Sequence, residues 1–172
     1  NEVSPRLKQK VGGIILSRLV KTFGLSESKV DEMLAPLIAS ANPTLASYAR
    51  PDGIYLRITA KSDQPEAAQQ MVARYEAEIR ATLGDAIWGT DSDTLEGVVG
   101  QLLTARGLSL AAAESFTCGS LTQLLANAPQ GQAFFRGGFI AAGDEAKIAC
   151  GLDPAIVGRP KKEVAVAMAS LA

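Results

Sequence analysis

A strand, a sharp turn and a helix follow one another in Leu108–Leu125, LSLAAAESFTCGSLTQLL. The apolar run Leu108–Ala113 predicts a strand that stops at Glu114-Ser115. A small, polar turn follows, and helical spacing begins at Leu121. This order is typical of α/β domains, which present a reactive hydroxyl or bind an anion at such a turn.

The chain has 172 residues and no histidine. Chemistry at the turn must therefore proceed without a Ser-His-Asp triad or a histidine-bound metal, and we expect no metal and no cofactor. Residues 1–89 hold 11 basic and 10 acidic side chains, and residues 90–172 hold 6 and 8. Neither half has the basic excess of a nucleic-acid-binding protein, so we do not expect a nucleic-acid partner.

The sequence shows no signal peptide and no apolar run that could span a bilayer, so we expect a cytoplasmic protein without a membrane partner. The two cysteines, Cys118 and Cys150, are too few for a disulfide framework and are predicted to be free thiols. Cys118 lies just before a predicted helix, where a thiol can become reactive, although a packing role is more common there.

The first half predicts a small α+β domain with the order β-α-β-β-α, after a lead-in at Pro5–Val11. Pro36 is expected to kink the first helix because it removes one helix hydrogen bond. A capping box at Asp63 and Glu66 is expected to start the second helix. The predicted elements are a strand at Ile14–Val20, a helix from Ser26 or Ser28 to about Ser40, hairpin strands at Leu45–Ala49 and Ile54–Ala60, and a helix from Asp63 to Gly84.

The polar Thr90-Asp91-Ser92 predicts a boundary between domains at 1–89 and 90–172. Alternating strands and helices then favour an α/β layered domain. Because the sequence stops within a helical pattern, we expect this domain to be truncated at its C-terminus. The first predicted element after the boundary is a helix that begins with a capping box at Asp93 and Glu96 and ends at Gly107. Its predicted buried face consists of Leu95, Val98, Val99, Leu102 and Leu103. The other predicted elements are a loop at Pro129–Gln132, a strand at Phe134–Ala142, and helices at Asp144–Cys150 and Lys162–Leu171.

Ser115 is the candidate nucleophile at the strand-to-helix turn. In a chain without histidine its base must be a lysine or a carboxylate, and Lys147 follows a strand that can lie beside the strand of Ser115. The alternative is that Ser115 only caps the next helix. Glu114 is a candidate to orient Lys147 or to bind a hydroxyl group, or it is simply a solvated strand end.

Four further positions, at two places in the chain, are candidates for binding substrate. Thr117 and Gly119, together with Ser120, can hold a phosphate at a helix N-terminus, or they serve only in capping and turn formation. Arg136 stands beside two glycines and can bind a carboxylate or phosphate, or it is an exposed strand residue.

Two parts of the sequence resemble the CinA family of competence/damage-inducible proteins. Residues 113–152, AESFTCGSLTQLLANAPQGQAFFRGGFIAAGDEAKIACGL, are similar to the family pattern AES-C-T-G-G, a G-S-S loop, and F-x-G-G-x-V-x-Y-S-N-x-A-K. The first half is similar to the middle domain and its link. Its matching segments are RLVKTFGLSESKVDEML (18–34), NPTLASYARPDGIYLRITAK (42–61) and LGDAIWGTDSDTLEGVVGQLL (83–103).

The resemblance implies a KH-like middle domain followed by the first part of a C-terminal amidohydrolase-like domain, in a fragment that lacks the family's N-terminal domain. In related proteins that C-terminal domain hydrolyses the carboxamide of nicotinamide mononucleotide, giving nicotinate mononucleotide and ammonia. Ser115 would match the family's active-site serine, Lys147 its lysine and Thr117 its threonine. The implied substrate is therefore nicotinamide mononucleotide.

The sequence departs from the family pattern at several positions of the implied site. Phe116 replaces a cysteine, Cys118 a glycine, Gln132 a loop serine and Ala142 the active-site tyrosine. Loss of a hydroxyl near a reacting centre removes about 1–3 kcal/mol of stabilisation, so we expect a weakened deamidase site. The alternative is a degenerate structural or dimerisation module, in a protein whose ADP-ribose pyrophosphatase-like activity resides in the N-terminal domain.

The KH-like resemblance does not by itself predict RNA binding. KH domains clamp nucleotides with a GXXG loop, and residues 1–89 contain none. A structural role, with assembly into a homodimer, is the expectation for this half.

Overall fold

The computed structural model describes residues 13–172, so the lead-in predicted at Pro5–Val11 lies outside the described residues. The chain forms two compact units, of which the first runs to Asp93 and the second covers Thr94–Ala172. Within residues 13–172, none of the helices combines the length and the apolar character that a membrane crossing requires.

The elements of the first unit are β1 (Ile14–Thr22), α1 (Glu27–Met33), α2 (Ala35–Ile38), β2 (Thr44–Arg50), β3 (Gly53–Ser62), α3 (Pro65–Leu83) and β4 (Ile87–Thr90). The four strands form an antiparallel sheet with the order β2-β3-β1-β4. The predicted α+β class and the hairpin between β2 and β3 are confirmed.

The core of the first unit lies on one face of this sheet. In β3, Ile54, Leu56 and Ile58 are buried, whereas the alternating Tyr55 and Arg57 point to the opposite face. The helices α1 and α3 cover the buried face with side chains that include Val30, Val72 and Ile79.

A tight turn joins the two hairpin strands at a glycine. Gly53 has φ +133°, and a Cβ atom there would lie 1.8 Å from the backbone oxygen of Thr22 on β1. The close approach of the two backbones therefore requires glycine at this position.

Of the two predicted helix starts in the first unit, one is confirmed and one is wrong. Ser26 caps the first helix as predicted, and the interruption expected from Pro36 is a complete break at Leu34, because Pro36 occupies the first turn of a separate helix, α2. The capping box at Asp63 does not form, since Gln64 is the N-cap of α3 and Pro65 takes its first position.

The second unit contains a parallel pair of strands, as expected for an α/β layer. Gly138 lies where the strands approach closely, and a Cβ atom there would be 2.6 Å from the Ala112 oxygen. The elements are α4 (Leu95–Ala105), β5 (Leu110–Glu114), α5 (Ser120–Asn127), α6 (Gly131–Phe134), β6 (Phe135–Ile140), α7 (Asp144–Ala149), α8 (Pro154–Val157) and α9 (Lys161–Ala169). Of these, α6 begins within the second half of the predicted loop, at Gly131, and the sequence patterns did not predict α8.

The helix α4 buries its glycines rather than its large apolar side chains. Gly97 and Gly100 are its buried residues, and Gly100 lies against the ring of the fully buried Phe134. The prediction that Leu95, Val98, Val99, Leu102 and Leu103 form the buried face is therefore wrong for Leu95, Val99 and Leu102, which are 40%, 39% and 49% exposed.

The N-terminus of α4 also differs from the prediction. Thr94 is the N-cap, and its side chain accepts a hydrogen bond from the Gly97 N–H. The Asp93 carboxylate instead accepts hydrogen bonds from the N–H and hydroxyl of Thr90. Thr94 therefore supplies the cap that the sequence pattern assigned to Asp93.

We predict that Gly100→Ala destabilises the protein by about 1–3 kcal/mol, the usual cost of overpacking a core. An added Cβ would lie 2.4 Å from Phe134 Cε1, a distance that forces the ring or the helix to move. Denaturant unfolding measures the loss. Gly158→Ala is the control, because a Cβ atom there meets nothing within 4 Å. Equal stability of the two variants would contradict this packing.

Candidate functional site

The turn after β5 is organised by the carboxylate of Glu114, which is 2% exposed. Its Oε2 accepts hydrogen bonds from the backbone N–H groups of Gly119 (2.9 Å) and Leu121 (3.1 Å). Its Oε1 accepts a bond from the Thr122 N–H at 2.6 Å. The start of a helix leaves such N–H groups unpaired, so Glu114 acts as an internal anion at the N-terminus of α5.

These hydrogen bonds determine the ionisation of Glu114. Burial opposes the charged form, but the backbone N–H groups of Thr122 and Leu121 and the nearby polar side chains of Thr122 and Thr117 outweigh it, lowering the pKa of the carboxyl from 4.5 to about 2. Glu114 is therefore a carboxylate at neutral pH.

The turn itself contains two consecutive residues with left-handed backbone. Cys118 has φ 47° and Gly119 has φ 98°. This conformation costs energy for Cys118 and little for Gly119. The thiol of Cys118 lies 3.3 Å from the backbone oxygen of Ser115, and both cysteines are free and exposed.

Ser115 and Lys147 line the same cavity, which has a volume of about 880 Å³. Ser115 follows β5 directly, and Lys147 lies on α7, which follows β6. Because β5 and β6 are parallel neighbours, both residues come from the carboxyl ends of the strands. That edge is where α/β sheets generally bind their ligands.

Both side chains are held by contacts within the unit. The Ser115 hydroxyl donates to the backbone oxygen of Ala142 at 3.3 Å. Lys147 Nζ donates to Asp144 Oδ1 at 2.9 Å, and the Lys147 side chain is 14% exposed while that of Asp144 is 66% exposed. The lysine is therefore shielded from solvent at the wall of the cavity.

Two charged residues at the cavity were not predicted from the sequence as site residues. Arg159 and Lys161 bring two further cations to the wall, and Phe116 is 98% exposed at its edge. Arg159 lies 3.8 Å from Glu163 in an exposed ion pair. The run from Arg159 to Lys162 is basic in the sequence, but nothing in its spacing indicates that it folds towards Ser115.

The other predicted site residues lie elsewhere. Thr117 and Gly119 belong to the turn around Glu114, and Glu114 already occupies the N–H groups considered for phosphate binding. Arg136 is at the start of β6, where its guanidinium donates to the Gln132 and Ala133 oxygens. That position is roughly 13 Å along the sheet from Ser115, at 3.3 Å per residue.

Comparison with protein families gives two consecutive matches. The damage-inducible protein CinA KH domain matches residues 17–89, and the CinA C-terminal domain matches residues 92–172. A competence-damage inducible protein from Moorella thermoacetica is 43% identical over 98% of this chain and 42% of its own length. A protein of the same description from Clostridium perfringens is 38% identical over 86% of this chain and 36% of its own length.

Two further comparisons complete this picture. A CinA-like protein from Dictyoglomus thermophilum is 40% identical over 85% of this chain and 36% of its own length. A crystal structure of a competence-damaged protein (CinA) superfamily member from Escherichia coli has 32% identity and a TM-score of 0.44, covering 48% of this chain and 52% of that one. The chain spans between 36% and 42% of the length of these curated relatives.

We predict that Glu114→Gln destabilises the protein in a pH-dependent way. Because the folded-state pKa of about 2 lies below the ordinary 4.5, the stabilisation by the carboxylate is complete above about pH 4.5 and is lost as the pH falls towards 2. The difference in melting temperature between wild type and variant should therefore be large at pH 7. It should shrink as the pH falls from 4.5 to 2.

Thermal unfolding followed by circular dichroism across this pH range measures the gap. Glu145→Gln removes an exposed carboxylate on α7 and serves as the matched control, with no pH-dependent gap expected. A gap for Glu114→Gln that is constant from pH 7 to 2 would contradict the assigned role of the carboxylate.

Proposed function

The chain belongs to the CinA family, and from that premise we propose that its second unit hydrolyses the carboxamide of a pyridine nucleotide such as nicotinamide mononucleotide. The observation that carries the proposal is that Ser115 and Lys147 line one cavity in a chain without histidine. A serine and a lysine are sufficient for nucleophilic catalysis when the amine accepts the hydroxyl proton.

In the proposed reaction, Ser115 Oγ attacks the carboxamide carbon while its proton passes to Lys147 Nζ. The carbon–nitrogen bond then breaks, Lys147 returns the proton to the leaving nitrogen, and ammonia departs. Water, activated by the same amine, attacks the ester on Ser115 and releases the carboxylate product. The net reaction consumes one water and releases one ammonia.

The cations of the cavity wall suit the phosphate of such a substrate. Arg159 can present two N–H groups to phosphate oxygens, and Lys161 adds a point charge. Because Glu114 already occupies the helix N–H groups, the phosphate would be bound by these side chains rather than by the turn.

We predict that the purified protein releases ammonia from nicotinamide mononucleotide and that Ser115→Ala and Lys147→Ala each reduce the rate to the uncatalysed level. A coupled ammonia assay and chromatography of nicotinate mononucleotide measure the two products. Lys162→Ala is the control, because Lys162 neighbours Lys161 in the chain but lies outside the cavity lining. Activity that survives both active-site substitutions would refute the proposed roles.

A second candidate function is nucleotide binding without turnover. It is favoured by Ala142, which lines the cavity where the family pattern has a tyrosine, and whose backbone oxygen takes the hydrogen bond of Ser115. In that case the cavity retains its cations but lacks a hydroxyl that would assist the reaction.

We predict that Arg159→Ala with Lys161→Ala weakens binding of nicotinamide mononucleotide by roughly tenfold or more, as expected when hydrogen bonds to a charged group are lost. The riboside, which lacks the phosphate, should bind wild type and variant equally. Calorimetric titration measures both ligands. Tight binding of the mononucleotide without ammonia release would support the second candidate, and equal weakening for both ligands would exclude a phosphate role for these cations.

A further inference from the structure

One face of the sheet in the first unit is left open by its helices. The core side chains of β1, β2 and β3 all point to the opposite face, towards α1 and α3. On the open face, Ser17, Ala46, Tyr48 and Arg57 are exposed. The register brings these strands together side by side, as the Ser17 and Thr59 hydroxyls, 3.0 Å apart, confirm.

This open face concentrates cations and aromatic rings. We call it the cationic sheet face and define it by the exposed Arg50, Arg57 and Lys61, the buried Lys21, and three aromatic residues, the exposed Tyr48 and the half-buried Tyr55 and Trp88. In the described strands β1, β2 and β3, none of the residues that point to this face is acidic. The nearest carboxylates belong to turns at its margin, where Asp52 accepts a hydrogen bond from the Tyr55 hydroxyl.

The rings are held in place by the cations. Tyr48 and Tyr55 are directly paired across β2 and β3, and the Arg57 guanidinium lies 5.2 Å from the centre of the Tyr48 ring. Lys21 Nζ lies 5.2 Å from the centres of both Tyr55 and Trp88 and donates to the Asp93 backbone oxygen. Tyr48 and Arg57 remain exposed, so this platform is open to a ligand.

Acidic side chains that balance part of the charge of this half lie on the helices. Glu76 on α3 pairs with Arg18 and Arg80, and Asp31 on α1 accepts a hydrogen bond from Ser47. Basic and acidic residues are nearly equal in number in this half, but the described strand residues on the open face of the sheet include basic and no acidic side chains. The alternation of side chains in the strands creates this distribution, and net charge alone does not reveal it.

We infer that the cationic sheet face binds single-stranded nucleic acid. Unpaired bases stack on exposed aromatic rings, while neighbouring lysines and arginines neutralise the phosphates, and this combination is the common means of binding single strands without sequence preference. The surface is separate from the cavity at Ser115 and does not depend on a GXXG loop, so the inference is independent of the proposed function.

Trp88 provides a direct probe, because the chain has a single tryptophan and it lies on this face. The full chain is titrated with 20-nucleotide oligo(dT) and oligo(U) at 50 mM salt, with both tryptophan emission and anisotropy of the labelled oligonucleotide recorded. We expect saturable changes in both signals and an affinity that falls as salt is raised. No change in either signal up to 100 µM protein would overturn the inference.

Variants of exposed residues then locate the surface without disturbing the core. Tyr48→Ala should weaken binding roughly 5- to 100-fold, the usual effect of losing one stacked base. Lys61→Ala should lower the slope of log affinity against log salt by about 0.7, the value for one phosphate contact on a single strand. Arg74→Glu on α3, whose side chain is 81% exposed, is the matched control and should leave binding unchanged.

Two further outcomes decide the chemistry of the ligand. If heparin binds as tightly as the oligonucleotides and Tyr48→Ala does not affect either, the face attracts polyanions in general and the assignment to nucleic acid fails. If Arg74→Glu weakens binding as much as Tyr48→Ala does, the interaction is not located on this face, and the inference is again overturned. Selective loss in Tyr48→Ala, with heparin binding unaffected, supports it.

Discussion

The second unit depends on one buried carboxylate, that of Glu114. Its two oxygens bind the N–H groups that begin α5, and its backbone oxygen accepts a hydrogen bond from the Ala141 N–H at 2.7 Å. A single residue thus connects β5, the following helix and the end of β6. Because Ser115 is the next residue, its position at the cavity follows from the same contacts.

Because the Glu114 carboxylate is bound at the start of α5, the backbone N–H groups there are not available to a charged ligand. Helix N-termini after a strand are common phosphate sites, yet here the available N–H groups are already paired with Glu114. The positive charge available to a ligand comes instead from Lys147, Arg159 and Lys161, which belong to the segment from α7 to α9. Long side chains adjust their position more readily than a helix terminus, so the proposed phosphate site would tolerate anions of different sizes.

Local sequence signals predicted much of the fold and part of the site. The alternation in β3, the hairpin turn and the glycine at the end of α3 act over a few residues, and the structure agrees with each of them. The parallel pairing of β5 and β6 also explains why Ser115 and Lys147 reach one cavity. These features depend on periodicity and on strand order, both of which are readable from sequence.

The features that sequence did not predict depend on contacts between distant residues. An apolar stripe on α4 indicated burial of Leu95 and Leu102, but the packing partner is a ring that fits only against glycine. For Glu114 the sequence suggested orientation of Lys147, binding of a hydroxyl group or a solvated strand end, but its carboxylate is buried against three N–H groups of the following turn, whose geometry the sequence does not specify. Arg159 and Lys161 reach the cavity through a connection that has no periodic pattern.

The contact between Gly100 and Phe134 links two positions that are 34 residues apart in the chain. A side chain at position 100 can be accommodated only if the ring at position 134 becomes smaller, and a smaller residue at 134 leaves a cavity unless position 100 is enlarged. Neither change is tolerated well alone. During evolution the two positions should therefore vary as a correlated pair, with the double change closer to neutral than either single step.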